Sequence, residues 1–213
     1  MGTITTNFAN GLTTNGVLGA STINDNSISN ITSIVGGGAL KLISSQTASS
    51  SASLSFTTGI DSTYKTYMIQ YNVHNAAGSH LFFNLSIDGG SNYNVAKTSN
   101  ANRVYHNESD VTTLLDFLDG TQSLGNSTSN QYLIENQSSD ADAIACGYLY
   151  LFNPSGTTYM KHFMADTQTM EGNPSSNRQI TGGYAMTTSA INAIKFLPNS
   201  STFTGTFHLY GLG

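Results

Sequence analysis

Charge is what this 213-residue chain has least of: Lys, Arg, Asp and Glu make up 9% of it, against roughly a quarter of an ordinary soluble domain. Ser, Thr, Asn and Gly stand in their place. A free enzyme of this size normally carries more surface charge for solubility, so the composition favours a chain packed in an assembly or displayed on one. The seven basic residues, Lys41, Lys65, Lys97, Arg103, Lys161, Arg178 and Lys195, are scattered, and the net charge is −5. That excludes the basic footprint that nucleic acid or an anionic membrane would need. The single cysteine, Cys146, excludes a disulfide framework and a cysteine zinc quartet. Lying inside an apolar run, it reads as a small buried hydrophobe. No apolar stretch approaches the ~20 residues of a membrane-crossing helix. The opening, MGTITTNFANGL, lacks the basic region and long apolar core of a secretory signal, and the expectation is a chain made and used without export. Met1-Gly2 followed by Thr6 fits the myristoylation pattern only loosely, and such a short match is discounted.

What the chain does have is alternation. With no tryptophan, 11 Tyr and 10 Phe supply the aromatic core, and many of them recur with period two, the mark of a strand whose side chains alternate between faces. The clearest case is the stretch from Ala145 to Gln168. Tyr148, Tyr150 and Phe152 alternate with Gly147, Leu149 and Leu151. After the turn Asn153-Pro154-Ser155-Gly156, Tyr159, Lys161, Phe163 and Ala165 share one face, and Met160, His162, Met164 and Asp166 the other. Pro154 presets φ, Gly156 tolerates a positive φ, and Asn153 can bond its own backbone. The first arm, apolar on both faces, reads as a central strand between two layers. The second, with Lys161, His162 and Asp166, reads as partly facing water.

Two regions flank this hairpin. Residues 1–38 set isolated aliphatics among Thr, Asn, Ser and Gly, with Ile23, Ile28, Ile31 and Ile34 close to a helical stripe. They read as an N-terminal arm whose isoleucines make assembly contacts, hinged at Gly36-Gly37-Gly38. Residues 39–213 read as the folded domain. ALKLISS, SASLSFT, YKTYMIQYNVHN and SHLFFNLSIDGG are strands, the last two joined as a hairpin through Ala76-Ala77-Gly78. NYNVAKTS is a shorter strand. Asn100 to Asp142 shows little pattern and reads as long loops, with Val111–Leu118 either a short helix or a strand. RQITGGYAMTT is a strand bulged at Gly182-Gly183, followed by AINAIKFL and TFTGTFHLYGLG. Roughly ten strands joined by short turns imply an all-β, antiparallel β-sandwich of about eight to ten strands, most simply a jelly roll, with an extended N-terminal arm.

Chemistry-bearing constellations are sparse. His106, Glu108 and Asp110 alternate and would share one face of a strand. With Asp140 and Asp142 they are the chain's weak candidates for a hard cation, set against the preferred reading of a solvated acidic loop. Asp88-Gly-Gly-Ser-Asn92 resembles half a calcium loop without its closing Glu and reads as a turn. His162 and His208 read as surface or hydrogen-bonded residues. Glu108, Asp116, Asp119, Glu135 and Glu171 could supply a carboxylate pair for glycoside hydrolysis, as acids in nearly any chain could. There is no G-x-S-x-G elbow, H-E-x-x-H or phosphate loop. The expectation is a non-enzyme with no catalytic residue and no cofactor.

Several segments carry a resemblance. GGALKLISSQTASSSASLSFTTGIDSTYKTYMIQYNVHNA, SIDGGSNYN, YLFNPSGTTYMKHFMA and the closing GTFHLYGL resemble a group of virion proteins of tailed bacteriophages, notably marine ones. Members carry a "G-T-I" opening, "F-T-T-G-I-D-S-T-Y", "S-x-D-G-G-S-x-Y", "L-F-N-P-S-S/G-T-T-x-x-K" and a terminal "G-T-x-x-L-Y-G". The likeness runs from about Ala39 to Leu212 and rests on turns and strand ends. It implies a structural protein displayed on the particle exterior, of the capsid decoration, head-fibre or tail-associated type, and it transfers no catalytic residue. Its partners would be copies of itself, expected as a homotrimer, and other capsid or tail proteins. The competing reading is a fibre module whose Asn100–Asp142 loops touch a host-surface glycan or protein.

Overall fold

The computed structural model describes residues 40–75 and 80–213. The arm, with Ile23, Ile28, Ile31 and Ile34, lies outside the described residues, as does the turn at Ala76-Ala77-Gly78. The described residues form twelve strands and no helix. They are β1 (Leu40–Ser51), β2 (Leu54–Phe56), β3 (Thr66–Asn75), β4 (Leu81–Ser86), β5 (Lys97–Asn107) and β6 (Thr113–Leu118), then β7 (Gln131–Ile134), β8 (Ala145–Phe152), β9 (Lys161–Met170), β10 (Ser175–Ala185), β11 (Ala193–Pro198) and β12 (Phe203–Leu212).

All pairings between these strands are antiparallel, and they build two sheets that form a sandwich, as the alternation implied. The large sheet runs β1-β12-β3-β8-β9-β10-β5-β6 and the small one β2-β11-β4-β7. Eight of the strands pair as a folded ribbon: β1 with β12, β2 with β11, β3 with β8 and β4 with β7. That order is consistent with a jelly roll. The remaining four, β9, β10, β5 and β6, extend the large sheet beyond β8.

The core sits between the sheets. Tyr67, Ile69, Tyr71 and Val73 of β3 are fully buried, alternating with outward Met68, Gln70 and Asn72. Phe83 of β4 meets Phe163 of β9 edge to face at 5.3 Å, and Phe196 of β11 meets Phe207 of β12 at 4.7 Å between ring centres. Burying each such ring contributes about 2–3 kcal/mol. Beneath the extension the interior turns polar: Thr167, Thr169, Asn177, Gln179, Thr181 and Gln131 are all buried. Tyr71 and Thr167 join the two regimes through a buried hydroxyl pair 2.5 Å apart.

Several expectations are corrected. The β8–β9 hairpin is present in the expected register, but β3 and β4 do not form one: they lie in different sheets. Alternation fixes which face of a strand is buried and is silent about its partner. Asn153, with φ 46°, takes the left-handed position in the β8–β9 turn, and Gly156 does not. β10 holds continuous register with both β5 and β9 through Gly182 and Gly183, so there is no bulge. Gly183 lets neighbours approach instead: a Cβ on it would lie 2.5 Å from Thr98 O and 2.7 Å from Phe163 Cζ. The expected loop from Asn100 to Asp142 contains most of β5, all of β6 and all of β7, and the short strand expected at Asn92–Ser99 begins only at Lys97.

Candidate interaction surface

The outer face of the large sheet is the most unusual surface among the described residues. Cross-strand register lines up Leu42, Tyr210, Met68, Tyr150 and Met164 as one lateral row over β1, β12, β3, β8 and β9. Leu42 and Met164 are about half exposed, Tyr150 and Tyr210 partly so. Leu40, Leu212 and Phe152 flank this row on one side. On the other lies a polar row of Ser45, His208, Gln70, Tyr148 and Asp166. Tyr148, Tyr150 and Phe152 follow one another along β8, with ring centres 5.4 and 6.1 Å apart. The face that was expected under a second layer is therefore open to solvent, because the small sheet covers the other side.

Charge on this face is confined to its polar flank. Arg178 grips Asp166 through both carboxylate oxygens, which holds the Asp166 carboxyl below the usual carboxylate range. Tyr148 also donates to Asp166, at 3.3 Å, and the nearby carboxylate raises its phenol. His208 Nδ1 lies 2.9 Å from Ser45 Oγ. Met68, Gln70, Tyr148 and Tyr150 border a hollow of about 570 Å³ on this face. Cys146 opens onto this face and is exposed, contrary to its expected burial. Lys161 departs in the opposite sense. It is buried, its Nζ donating to the carbonyls of Tyr159, Thr187 and Thr188, and burial lowers its pKa.

The weak cation candidates are only partly brought together. His106 Nε2 and Asp110 Oδ1 are 2.9 Å apart, Glu108 borders the same hollow as they do, and Asp140 instead accepts from Ser138 Oγ at 2.9 Å. No group of three or more His, Cys, Asp or Glu that could hold a metal occurs among the described residues. Asp88 closes its own turn: it accepts from Asn92 N, Asn92 Nδ2 and Ser86 Oγ, which lowers its carboxyl to about 2.

Three of the five acids named as a possible carboxylate pair, Asp116, Glu135 and Glu171, are gathered around Arg103, a cluster that sequence reasoning did not single out. Arg103 of β5 lies 3.5 Å from Asp116, 3.8 Å from Glu135 and 3.7 Å from Glu171. Gln122 donates to Glu135 and Asn177 to Glu171. Burial is the larger influence on Glu171 and raises its pKa against the pull of Arg103. These acids are far apart in sequence and carry no shared spacing, so only the fold could gather them. The arrangement ties β5, β6 and β10 to the chain just beyond β7 and β9.

A third hollow, of about 390 Å³, opens between the small sheet and the 120–130 segment, lined by Phe82, Tyr132, Thr121, Ser129 and Asn130 among others. Phe82 and Tyr132 stand edge to face with ring centres 4.5 Å apart. No helix among the described residues is long and apolar enough to cross a membrane. No protein family, curated protein or solved structure matches the chain.

Proposed function

We propose that this chain is a non-enzymatic structural subunit of a tailed-bacteriophage virion, of the capsid decoration, head-fibre or tail-associated type, which self-associates through its β-sandwich and is displayed on the particle exterior. The observation that carries the assembly part is the apolar row Leu42–Tyr210–Met68–Tyr150–Met164 across an open sheet face. Exposed apolar side chains ranged along one sheet face mark a contact surface. The sparse charge, 9% of residues, fits a life spent among neighbours. The virion part rests on the resemblance of the turns and strand ends.

The chain's single cysteine provides the test, because Cys146 opens onto this face. A maleimide is expected to label Cys146 in the dilute purified chain and to fail on intact particles. Equal labelling in both would remove the face from assembly, and absence of the chain from particles would remove the virion reading. Antibody labelling along the particle separates head from tail. A second reading, contact with a host-surface glycan, is favoured by one observation: the hollow at Tyr132 and Phe82 pairs aromatic rings with small polar side chains. A signal confined to the tail tip would support it.

A further inference from the structure

A sheet edge presents unpaired N–H and C=O groups, and natural proteins blunt such edges with short strands, bulges, lysine or proline. Among the described residues the sandwich has four edges: β1 and β6 on the large sheet, β2 and β7 on the small one. Three carry a blunting device. β2 has only 3 residues and β7 only 4. β1 carries Lys41 and breaks register twice, between Leu42 and Ser44 and between Ala48 and Ser51.

β6 carries none of them. It pairs with β5 without interruption from Thr113↔His106 to Leu118↔Ala101, and its sequence, TLLDFL, has no lysine, proline or glycine. Apolar side chains are exposed on both of its faces. Leu115 is 78% exposed and Phe117 55% on one, Leu114 is exposed on the other, and Val111 just before the strand is 81% exposed. Exposed Val104 lies beside Leu115 in register, so the apolar strip continues onto β5. The one charge of the strand, Asp116, faces its own Arg103 at 3.5 Å rather than guarding the edge.

We infer that β6 is the edge at which two copies of this chain join, their β6 strands pairing antiparallel so that two eight-stranded sheets run on as one. The free backbone groups demand a strand, and the exposed Leu and Phe demand an apolar one. A second β6 supplies both, at equal length and about a two-fold axis, where an identical patch complements itself. The other edges are poor partners, being too short or out of register. Asp116 does not oppose the pairing, because each copy brings Arg103 to meet its own carboxylate. This inference rests on the self-association reading above, and it makes the assembly even-numbered rather than the expected trimer.

Light scattering on the full chain tests it, with Leu115→Lys as the edge variant and Ile87→Lys, at an exposed position just beyond β4 of the small sheet, as control. The wild type is expected at twice the monomer mass or an even multiple, Leu115→Lys at half the wild-type value, and Ile87→Lys at the wild-type value. An odd-numbered assembly, or one whose mass Leu115→Lys leaves unchanged, would overturn the β6 contact and leave self-association standing. A wild-type monomer at roughly 100 μM would overturn both. Should Leu115→Lys not fold, amide hydrogen exchange on the wild type decides: residues 113–118 are expected to lose at least about tenfold protection on dilution. Protection that is equally low at every concentration sinks the inference.

Discussion

Lys97 Nζ, from the large sheet, donates to Asn84 Oδ1 of the small sheet across 2.7 Å, and both side chains are sealed from solvent. The ammonium's other partner is the carbonyl of Val95, at 2.8 Å, and no carboxylate is paired with it among the described residues. Burial therefore dominates and lowers the Lys97 pKa from 10.5 to about 8.

A pH dependence follows. Between about pH 8 and 10.5 the unfolded chain holds a proton that the folded chain has released, so the contribution of this site to stability rises with pH across that window. Lys97→Met keeps the unbranched stem and cannot titrate. The stability of the wild type relative to Lys97→Met, from urea midpoints, is expected to rise by about 2 kcal/mol from roughly pH 7.5 to 9.5. A flat difference would mean that water reaches the ammonium.

Glu171 titrates with the opposite consequence. Burial raises its folded pKa above the ordinary 4.5. The folded chain keeps this proton to higher pH than the unfolded chain does. The stability it contributes is complete below the unfolded value and is lost as pH rises through the folded one. Glu171→Gln removes the titration while keeping the side chain's length. The wild type should therefore lose stability relative to Glu171→Gln as pH rises from about 4 to 7. A gain over that range would show that the Arg103 ion pair outweighs desolvation.

Neighbouring glycines of β10 should behave differently. A Cβ on Gly183 meets Thr98 O, Phe163 and Ser99 Cβ, all within 2.8 Å, whereas a Cβ on Gly182 finds nothing nearer than Asn100 Oδ1 at 4.0 Å. Gly183→Ala is expected to cost about 1–3 kcal/mol through overpacking and Gly182→Ala to stay within about 0.5 kcal/mol. Equal losses in thermal or urea unfolding would contradict the close approach at Gly183.

All twelve described strands lie between Leu40 and Leu212. A chain beginning at Ala39 is expected to melt as the whole protein does and to fail to join particles. Normal incorporation of the shortened chain would take the assembly contact away from Ile23, Ile28, Ile31 and Ile34.

Much of the fold was legible because alternation is local. Leu149 and Leu151 had to share one face and Tyr148, Tyr150 and Phe152 the other, wherever the strand lay. The same logic exposed the β8–β9 hairpin and the half-buried SASLSFT. The candidate surface was only half legible. The aromatic face of β8 was visible as a pattern, but its row-mates Leu42, Tyr210, Met68 and Met164 come from four other strands whose order no local signal records.

The sequence by itself determined the all-β class, the aromatic core, the absence of a basic footprint and the faces of individual strands, since each follows from composition or period two. Tertiary structure alone decided that β3 and β4 lie in different sheets, that Lys97 and Lys161 are buried, that Cys146 is open, and that β6 is an edge strand among the described residues. Those outcomes depend on which strands pair across long sequence separations. Backbone pairing uses the same N–H and C=O groups at every residue, so its partners are chosen by packing of the whole sandwich.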